Sequence, residues 1–375
     1  MRSIQLTLAA AILVTAVPSH AGSALFVAMN GIDSSACGGK KSPCRTISQA
    51  IANAPVGGTV IVGPGRYGDL DADGELRADP QDFGEEDPFV CDGASCALRI
   101  TKALTVLSSD GPGATVLDGG KGRVTTMLIN SSNVTLGRPK QGFTIVGAIA
   151  TGILVRASDV RIEGNIITSI GGNGITLDVG DRATVLGNTI AGNGALGILV
   201  KPGVEDPFVI RNHIVGNGHA GNGGGIESFA SGITRGNVIT GNLGPGILVS
   251  DGSAVVRENL IAGNETHGVA IRDGGVATIF GNAIIGNTDL GVQLLPGAAA
   301  NMNGNNIYGN DPHGQNCGVF NAISQTVDAM HNYWGAASGP GPNPADHSCT
   351  AFANSITLVD PVRVKPIKLR LKVAR

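Results

Sequence analysis

The sequence repeats with a period of about 23 residues. The stretch GNTIAGNGALGILV, at residues 187–200, recurs as GNVITGNLGPGILV and ENLIAGNETHGVAI farther along the chain. The first asparagine of each unit stands at Asn165, Asn188, Asn212, Asn237, Asn259, Asn282, Asn305 and Asn332. A second row, five residues later, comprises Asn193, Asn217, Asn242, Asn264, Asn287 and Asn310. Repeats of this length that keep one phase over eight units predict a solenoid.

The residues between the asparagine rows indicate which solenoid forms. Apolar, largely β-branched residues alternate with variable ones, as in 198–200 and 269–271, which is typical of strands. A coil of this length, at ~3.3 Å per residue, can close into a tube with three short faces that stacks ~4.8 Å above the previous coil. We predict an all-β fold, a right-handed parallel β-helix with coils of about 22–25 residues. A leucine-rich repeat is the rival, but the units lack its helical stretch.

The paired Gly-Asn steps predict corners on either side of one short strand. Glycine and asparagine tolerate the left-handed backbone conformation that a sharp bend requires. Asparagines stacked from coil to coil can form a ladder in which each amide donates to the next. We therefore expect the asparagine rows to be structural.

These GN-x-I-x-GN coils resemble the β-helix repeats of the pectin-lyase-like superfamily, which includes polysaccharide lyases, epimerases and many exported proteins. The resemblance covers roughly residues 45–350 and is specific for fold rather than activity. The segment CRTISQAIANA predicts a helix that covers the N-terminal end of the tube, with Thr46 and Gln49 spaced as a capping box. Its apolar face comprises Ile47, Ala50, Ile51 and Ala54.

The N-terminus has the pattern of a cleaved signal peptide over residues 1–21, with Arg2 before an apolar run too short to span a membrane. An N-terminal anchor helix is the alternative. We predict a secreted, periplasmic or cell-surface protein whose β-helix occupies residues 22–350, with regular repeats at 142–334. An acidic insertion at 68–96 interrupts it, and a basic tail or capping strand follows at 351–375.

Six cysteines, all after the predicted signal peptide, fit an oxidising compartment. Six cysteines allow 15 connectivities, of which pairing between sequence neighbours is the simplest. A zinc site is the competing interpretation, although no matching C-x2-C pairs are present. The pairs predicted on this basis are Cys37–Cys44, Cys91–Cys96 and Cys317–Cys349.

The acidic insertion contains a partial calcium-binding motif. Asp69, Asp71 and Asp73 match the start of a calcium loop, but its twelfth position is Pro80 in place of the bidentate glutamate. The alternative is a solvated acidic loop. A non-standard calcium site would be completed by Asp79, Asp82 or Glu85.

One segment resembles a catalytic motif. In YGNDPHG, Tyr308, Asp311 and His313 are similar to the active-site motif of alginate epimerases, where Tyr, Asp and His help to move a C5 proton. The alternative is structural, because Tyr308 is followed by the ordinary Gly-Asn of the repeat.

Side-chain alternation predicts a long ligand-binding face. If Ile153 points inward, alternation turns Leu154 and Arg156 outward, and the same count gives the outward positions of the following coils. Mixed charge, an aromatic ring and amides suit an extended sugar chain, and they also suit a solvated surface. The predicted ligand-binding residues are Arg156, Lys201, Glu227, Phe229 and Arg272.

The last residues, PVRVKPIKLRLKVAR, alternate apolar with basic side chains and contain no acid. This pattern favours an edge strand whose cations block further pairing, or a contact for a polyanion such as an acidic polysaccharide or lipid head groups.

Two functional hypotheses follow. The first is an exported β-helix that binds or structures extracellular or cell-surface polysaccharide without a catalytic centre; the second is a lyase or C5-epimerase of a uronate polymer. The net charge of −3, with 15% charged residues, gives no overall case for nucleic-acid binding. We expect a monomer without a transmembrane segment, whose partner is a polysaccharide or cell-surface glycan.

Overall fold

The computed structural model describes residues 24–68, 86, 89–91, 94–120, 122–221 and 223–371. The predicted signal peptide lies outside the described residues. So do the predicted calcium ligands Asp69, Asp71, Asp73 and Asp79, and the side chain of Cys91.

The chain winds into a solenoid whose wall consists of three long sheets. The described strands pair in parallel from coil to coil, except that Phe89–Cys91 pairs antiparallel with Ala94–Ile100. The predicted parallel β-helix is therefore confirmed. Each sheet takes one short strand from nearly every coil, so residues about 23 positions apart become neighbours.

The described strands of each sheet are as follows, in chain order. The first sheet contains Leu25–Val27, Thr59–Val62, Thr105–Ser108, Thr135–Leu136, Arg161–Glu163, Thr184–Leu186, Phe208–Ile210, Gly232–Arg235, Ser253–Arg257, Val276–Phe280, Ala299–Asn303, Val327–Asp328 and Thr357–Leu358. The second contains Gly65–Gly68, Thr115–Asp118, Thr144–Val146, Ile166–Thr168, Thr189–Ala191, His213–Val215, Val238–Thr240, Leu260–Ala262, Ala283–Ile285 and Asn306–Tyr308. The third contains Phe89–Cys91, Ala94–Ile100, Thr125–Ile129, Thr151–Arg156, Asn173–Asp181, Ile198–Val200, Val204–Glu205, Ile226–Ser228, Ile247–Val249, Val269–Ile271, Val292–Leu294, Cys317–Asn321 and His347–Thr350.

The core is the inside of the tube. In the strand His213–Val215, Ile214 is fully buried while its two neighbours face outward and are half-buried. In the third sheet the first and last residues of Ile198–Val200 point inward. Alternation therefore sends one row of apolar side chains from the second sheet, and two from the third, into a continuous core.

The corners use the left-handed backbone conformation. Gly187 and Gly192, before the two asparagines of one coil, both have φ of 62°. Arg211 and Glu258 replace the glycine in other coils yet keep the same conformation, with φ of 54° and 57°. A side chain there costs roughly 1 kcal/mol, so the asparagine that follows must hold the corner in place.

Both predicted asparagine ladders are present. Asn237 shows the pattern: its backbone N–H and Nδ2 both donate to Oδ1 of Asn259, at 2.9 Å. Its own Oδ1 accepts the corresponding pair from Asn212, and its Nδ2 also donates to the carbonyl of Val209. The buried amides therefore satisfy one another along the axis, and each coil fixes the position of the next.

An aspartate ends the second ladder. Oδ2 of Asp346 accepts from the backbone N–H and Nδ2 of Asn310, at 3.1 and 2.8 Å. Its Oδ1 accepts from the backbone N–H of Gly309 at 2.6 Å. An asparagine here would turn an N–H group toward one of these donors, whereas a carboxylate accepts on both oxygens.

Asp346 should make the stability of the protein depend on pH. Burial raises the pKa of Asp346 above its ordinary value of 3.8, although the hydrogen bonds from Asn310 and Gly309 act in the opposite direction. The folded chain then binds this proton more tightly than the unfolded chain, so the free energy of unfolding falls as pH rises from 3.8 to the raised pKa. Asp346→Asn should remove this fall, and at pH values above the raised pKa it should cost about 1–3 kcal/mol for the N–H left without an acceptor.

Urea unfolding of both proteins across this pH range tests the prediction. Curves for wild type and Asp346→Asn that stay parallel at all pH values would show that Asp346 does not control the dependence.

A helix at Ile47–Asn53 packs against the first coils, and its predicted apolar face is buried. Thr46 caps it, since its hydroxyl accepts from the backbone N–H of Gln49 at 3.1 Å. The reciprocal half of the predicted capping box does not form, because the Gln49 amide donates to Asn53 instead. A buried carboxylate from the acidic insertion, Glu86, accepts from the first N–H groups of the helix.

The described cysteines are oxidised. Cys37 pairs with Cys44, and Cys317 with Cys349, as predicted. The second pair joins the strand Cys317–Asn321 to the closing strand His347–Thr350. Cys96 is also disulfide-bonded.

Candidate functional site

The outer face of the third sheet carries the residues predicted to bind a ligand. Pairing in register stacks its outward side chains into a row along the axis. Most members of that row are apolar or uncharged, so its one carboxylate, Glu227, stands out. The row runs Leu154, Thr176, Leu199, Glu227, Leu248, Ala270, Gln293 and Phe320.

Three of the charged residues on this face form one cluster. Oδ2 of Asp178 accepts from Nε of Arg156 at 2.6 Å, and its Oδ1 lies 2.7 Å from Nζ of Lys201. Burial acts to raise the pKa of Asp178, but the hydrogen bonds from Lys201 and Arg156 outweigh it, so this pKa lies below its ordinary value. One carboxylate thus faces two cations, which leaves the cluster with a net positive charge.

A second cluster spans three consecutive coils. Oε1 of Glu227 accepts from the hydroxyl of Ser250 at 3.0 Å and from Nη2 of Arg272 at 3.2 Å. Nε of Arg272 also donates to the Ser250 hydroxyl at 3.3 Å, and its guanidinium contacts the exposed Asp273. The Arg272 side chain remains 43% exposed, whereas Glu227 is 16% exposed. The carboxylate therefore holds an accessible guanidinium in position.

A pocket of about 430 Å³ lies beside the second cluster. Glu227, Arg272 and Leu248 form part of its lining, together with Thr266 from the next corner. The Thr266 hydroxyl oxygen is buried and has no hydrogen-bond partner in the part of the chain that the structure describes. Because a buried hydroxyl without a partner costs free energy, a turn of the Thr266 side chain that let this hydroxyl bond a ligand in the pocket would be favourable.

An enlarged corner forms the wall of this pocket. Seven residues separate Asn217 from Gly225, whereas three separate the equivalent residues Asn242 and Gly246. The wall packs closely against the next coil: a Cβ on Gly244 would lie 1.7 Å from the carbonyl oxygen of Gly223. Sequence reasoning missed this wall, although the longer spacing was its signal.

Sequence reasoning also missed the histidine that follows Thr266. Nδ1 of His267 is buried without a hydrogen-bond partner among the described residues and lies 3.8 Å from Oδ2 of Asp289. Burial lowers the pKa of His267, while the charge of Asp289 acts to raise it. The imidazole is therefore neutral at neutral pH.

The epimerase-like motif lies at a different corner and is arranged structurally. The Asp311 carboxylate accepts from the backbone N–H groups of Gln315 and Cys317, at 2.8 and 3.3 Å, and so shapes its own loop. Tyr308 packs edge-to-face on Tyr333 with 5.9 Å between ring centroids. His313 is exposed on the loop. These contacts hold the loop in its shape, and a catalytic role for Tyr308, Asp311 and His313 stays a prediction.

One group of metal-ligand residue types occurs among the described residues, formed by Asp33, Cys37 and Cys44. Its two sulfur atoms are joined to each other, so neither is available as a thiolate ligand.

Across the described ranges, none of the helices has the length and apolar character needed to cross a membrane.

Comparison with known proteins supports the fold assignment. Residues 151–311 match the model of the right handed beta helix region. The A-module of the mannuronan C-5 epimerase AlgE4 of Azotobacter vinelandii is similar in structure, with a TM-score of 0.51, 15% identity, and coverage of 84% of this chain and 89% of that one. Pectate lyase Pel9A is similar with a TM-score of 0.54, 14% identity, and coverage of 90% and 79%.

A comparison with curated proteins found no significant match. The structural likeness, at these identities, concerns the path of the chain rather than its chemistry. The three parallel sheets and the matched repeat agree that the chain has the fold of a right-handed parallel β-helix.

Proposed function

We propose that the outer face of the third sheet binds an extended acidic polysaccharide outside the cytoplasm. The observation that carries this proposal is the cluster of Glu227, Ser250 and Arg272 beside a pocket lined by Thr266, whose hydroxyl has no hydrogen-bond partner among the described residues. It combines a positioned cation, a buried polar group and apolar wall residues, which are the usual components of a ligand site.

The chemistry of the face fits a uronate chain. The planar guanidinium of Arg272 can donate two parallel hydrogen bonds to a carboxylate, and the Thr266 hydroxyl can bond a sugar hydroxyl. Leu248 and Phe229 offer apolar surface to the face of a sugar ring. Because coils stack at ~4.8 Å, repeating groups of a polymer would meet equivalent positions on successive coils.

Location and relatives support the same proposal. The disulfides and the predicted signal peptide fit an extracellular, periplasmic or cell-surface protein. The similar structures include a mannuronan epimerase and a pectate lyase, both named for acidic polysaccharides. We propose a monomer as the binding unit. Calcium at Asp69, Asp71, Asp73 and Asp79 stays a prediction.

Thr266→Val should weaken binding without weakening the fold. The change keeps the side-chain shape and removes a hydroxyl that has no partner among the described residues, so the free energy of unfolding should stay the same or rise. Affinity for polygalacturonate or alginate, measured by isothermal titration calorimetry, should fall about ten-fold through loss of one buried hydrogen bond. Thr240→Val on the second sheet is the matched control and should bind as wild type.

Arg272→Gln extends the test to charge, since loss of a charge-assisted hydrogen bond should weaken binding by at least about ten-fold. Its control is Arg235→Gln, because Arg235 pairs with Glu258 on the first sheet at 40% exposure. Equal losses in Arg272→Gln and Arg235→Gln, or full binding by Thr266→Val, would contradict the proposed site.

A lyase or C5-epimerase remains the second candidate. Arg272 and Glu227 form an ion pair. The Arg272 guanidinium could neutralise the carboxylate of a uronate, and the Glu227 carboxylate could accept a proton from the sugar. The same polymers therefore serve a second assay, in which unsaturated uronate absorbance or exchange of the C5 proton with solvent would establish catalysis. Binding without either signal supports the non-catalytic protein.

A further inference from the structure

Exposed apolar side chains are concentrated at the C-terminal end of the tube. Phe352, Ile356, Leu358 and Val364 are 54%, 52%, 44% and 62% exposed. They are four of the eleven large exposed apolar residues in the described part of the chain, yet they fall within 13 residues of sequence. Single exposed apolar residues are ordinary, but a local group marks an interaction surface.

The same segment carries a row of cations. Between residues 351 and 371 the only acid is Asp360. The four basic side chains are exposed and make no ion pair with any described residue. They are Arg363, Lys365, Lys368 and Arg370.

The tail presents these charges on a backbone that is held in place. The side-chain amide of Asn306 bonds both backbone groups of Ile367: Nδ2 donates to its carbonyl at 3.0 Å, and Oδ1 accepts from its N–H at 2.8 Å. The N–H of Arg363 donates to the carbonyl of Asn332, and Val362 packs against the core. The cations are therefore positioned before any partner binds, which reduces the entropy cost of binding.

Ile356, one of the exposed apolar residues, lies next to the start of the cationic row. Ile356 and Val362 line the same open depression of about 760 Å³, together with Asp360. This places the exposed group around Ile356 beside the start of the cationic row.

We propose that this C-terminal surface, residues 352–371, docks on an anionic lipid surface. Anionic lipid head groups provide negative charge for cations that have no ion-pair partner among the described residues. The interfacial region of a bilayer also accepts exposed apolar side chains next to those head groups. A polysaccharide anion would engage the cations but offers little for Phe352, Ile356 and Leu358. The contact would hold the solenoid by its end and leave the third sheet free, so the inference does not depend on glycan binding.

Vesicle co-sedimentation of the full chain tests the proposal. Wild type should bind vesicles of equimolar phosphatidylglycerol and phosphatidylcholine, and should not bind pure phosphatidylcholine. Each basic residue near such a surface contributes roughly five-fold, so replacing all four cations by Gln should weaken binding by about 600-fold, nearly three orders of magnitude. The matched control replaces four exposed cations from elsewhere by Gln, at Lys41, Arg138, Lys140 and Arg211.

The apolar contribution has its own variant. Phe352→Ser with Val364→Ser should weaken vesicle binding by about ten-fold. Val276→Ser with Phe280→Ser, at exposed positions of the first sheet, should have no effect. Unchanged fluorescence of the buried Trp334 would show that each variant is folded.

Equal binding to anionic and neutral vesicles, or equal loss in the tail variant and its matched control, would overturn the proposal. So would loss of alginate binding in the tail variant while its vesicle binding stays intact, since the cations would then serve a polysaccharide. Loss of vesicle binding together with normal glycan binding at the third sheet is the expected result.

Discussion

Asn237→Asp should destabilise the protein by about 3–5 kcal/mol. In the wild type, Nδ2 of Asn237 donates to Val209 and Asn259, and its Oδ1 accepts from Asn212. A carboxylate cannot donate, so the new side chain would face two acceptor oxygens in a fully buried position. It would either stay ionised without a partner or have to bind a proton, and both states cost free energy. The loss should therefore be smaller at low pH.

Urea unfolding, followed by the fluorescence of the single tryptophan Trp334, measures this effect. Asn301→Asp is the control, because Asn301 is exposed on the first sheet and lies outside the ladders. If the two substitutions cost the same free energy, the buried amide ladder does not stabilise the coils as we describe.

Ile214→Asp should cost at least about 4 kcal/mol, because it puts an unpaired carboxylate inside the tube and removes a fully buried apolar side chain. The adjacent Val215→Asp should cost no more than about 1 kcal/mol. Val215 points outward between the uncharged residues Ala191 and Thr240.

The pair of substitutions tests the inward and outward alternation at one strand with the same new side chain. Unfolding free energies from urea titration give the comparison. Similar losses at Ile214 and Val215 would show that the alternation does not set the core.

Much of the fold could be predicted from the sequence, because it depends on local residue choice that is repeated in phase. Ile214 lies between outward residues, so period-2 alternation alone assigns it to the core. Asn188 and Asn193 bracket one strand, and their recurrence in each coil implies both corners and both ladders. The pairing of Cys317 with Cys349 followed from neighbour order.

Features that depend on a single long-range contact could not be predicted. Asp346 replaces an asparagine of the ladder 36 residues after Asn310, outside the repeat period, so no spacing marks it. Glu86 reaches the helix start from an insertion without a repeat.

The same reason explains the candidate site. The sequence by itself determined that Glu227 and Arg272 face outward on one sheet, since alternation and period place each of them. Only the tertiary structure decided that they share Ser250 and that the enlarged corner after Asn217 forms the wall of a pocket beside them. It also decided that the Thr266 hydroxyl has no partner in the described part of the chain. Coil stacking brings together residues that lie two coils apart, and the distances between their side chains depend on loop lengths and rotamers that no local pattern encodes.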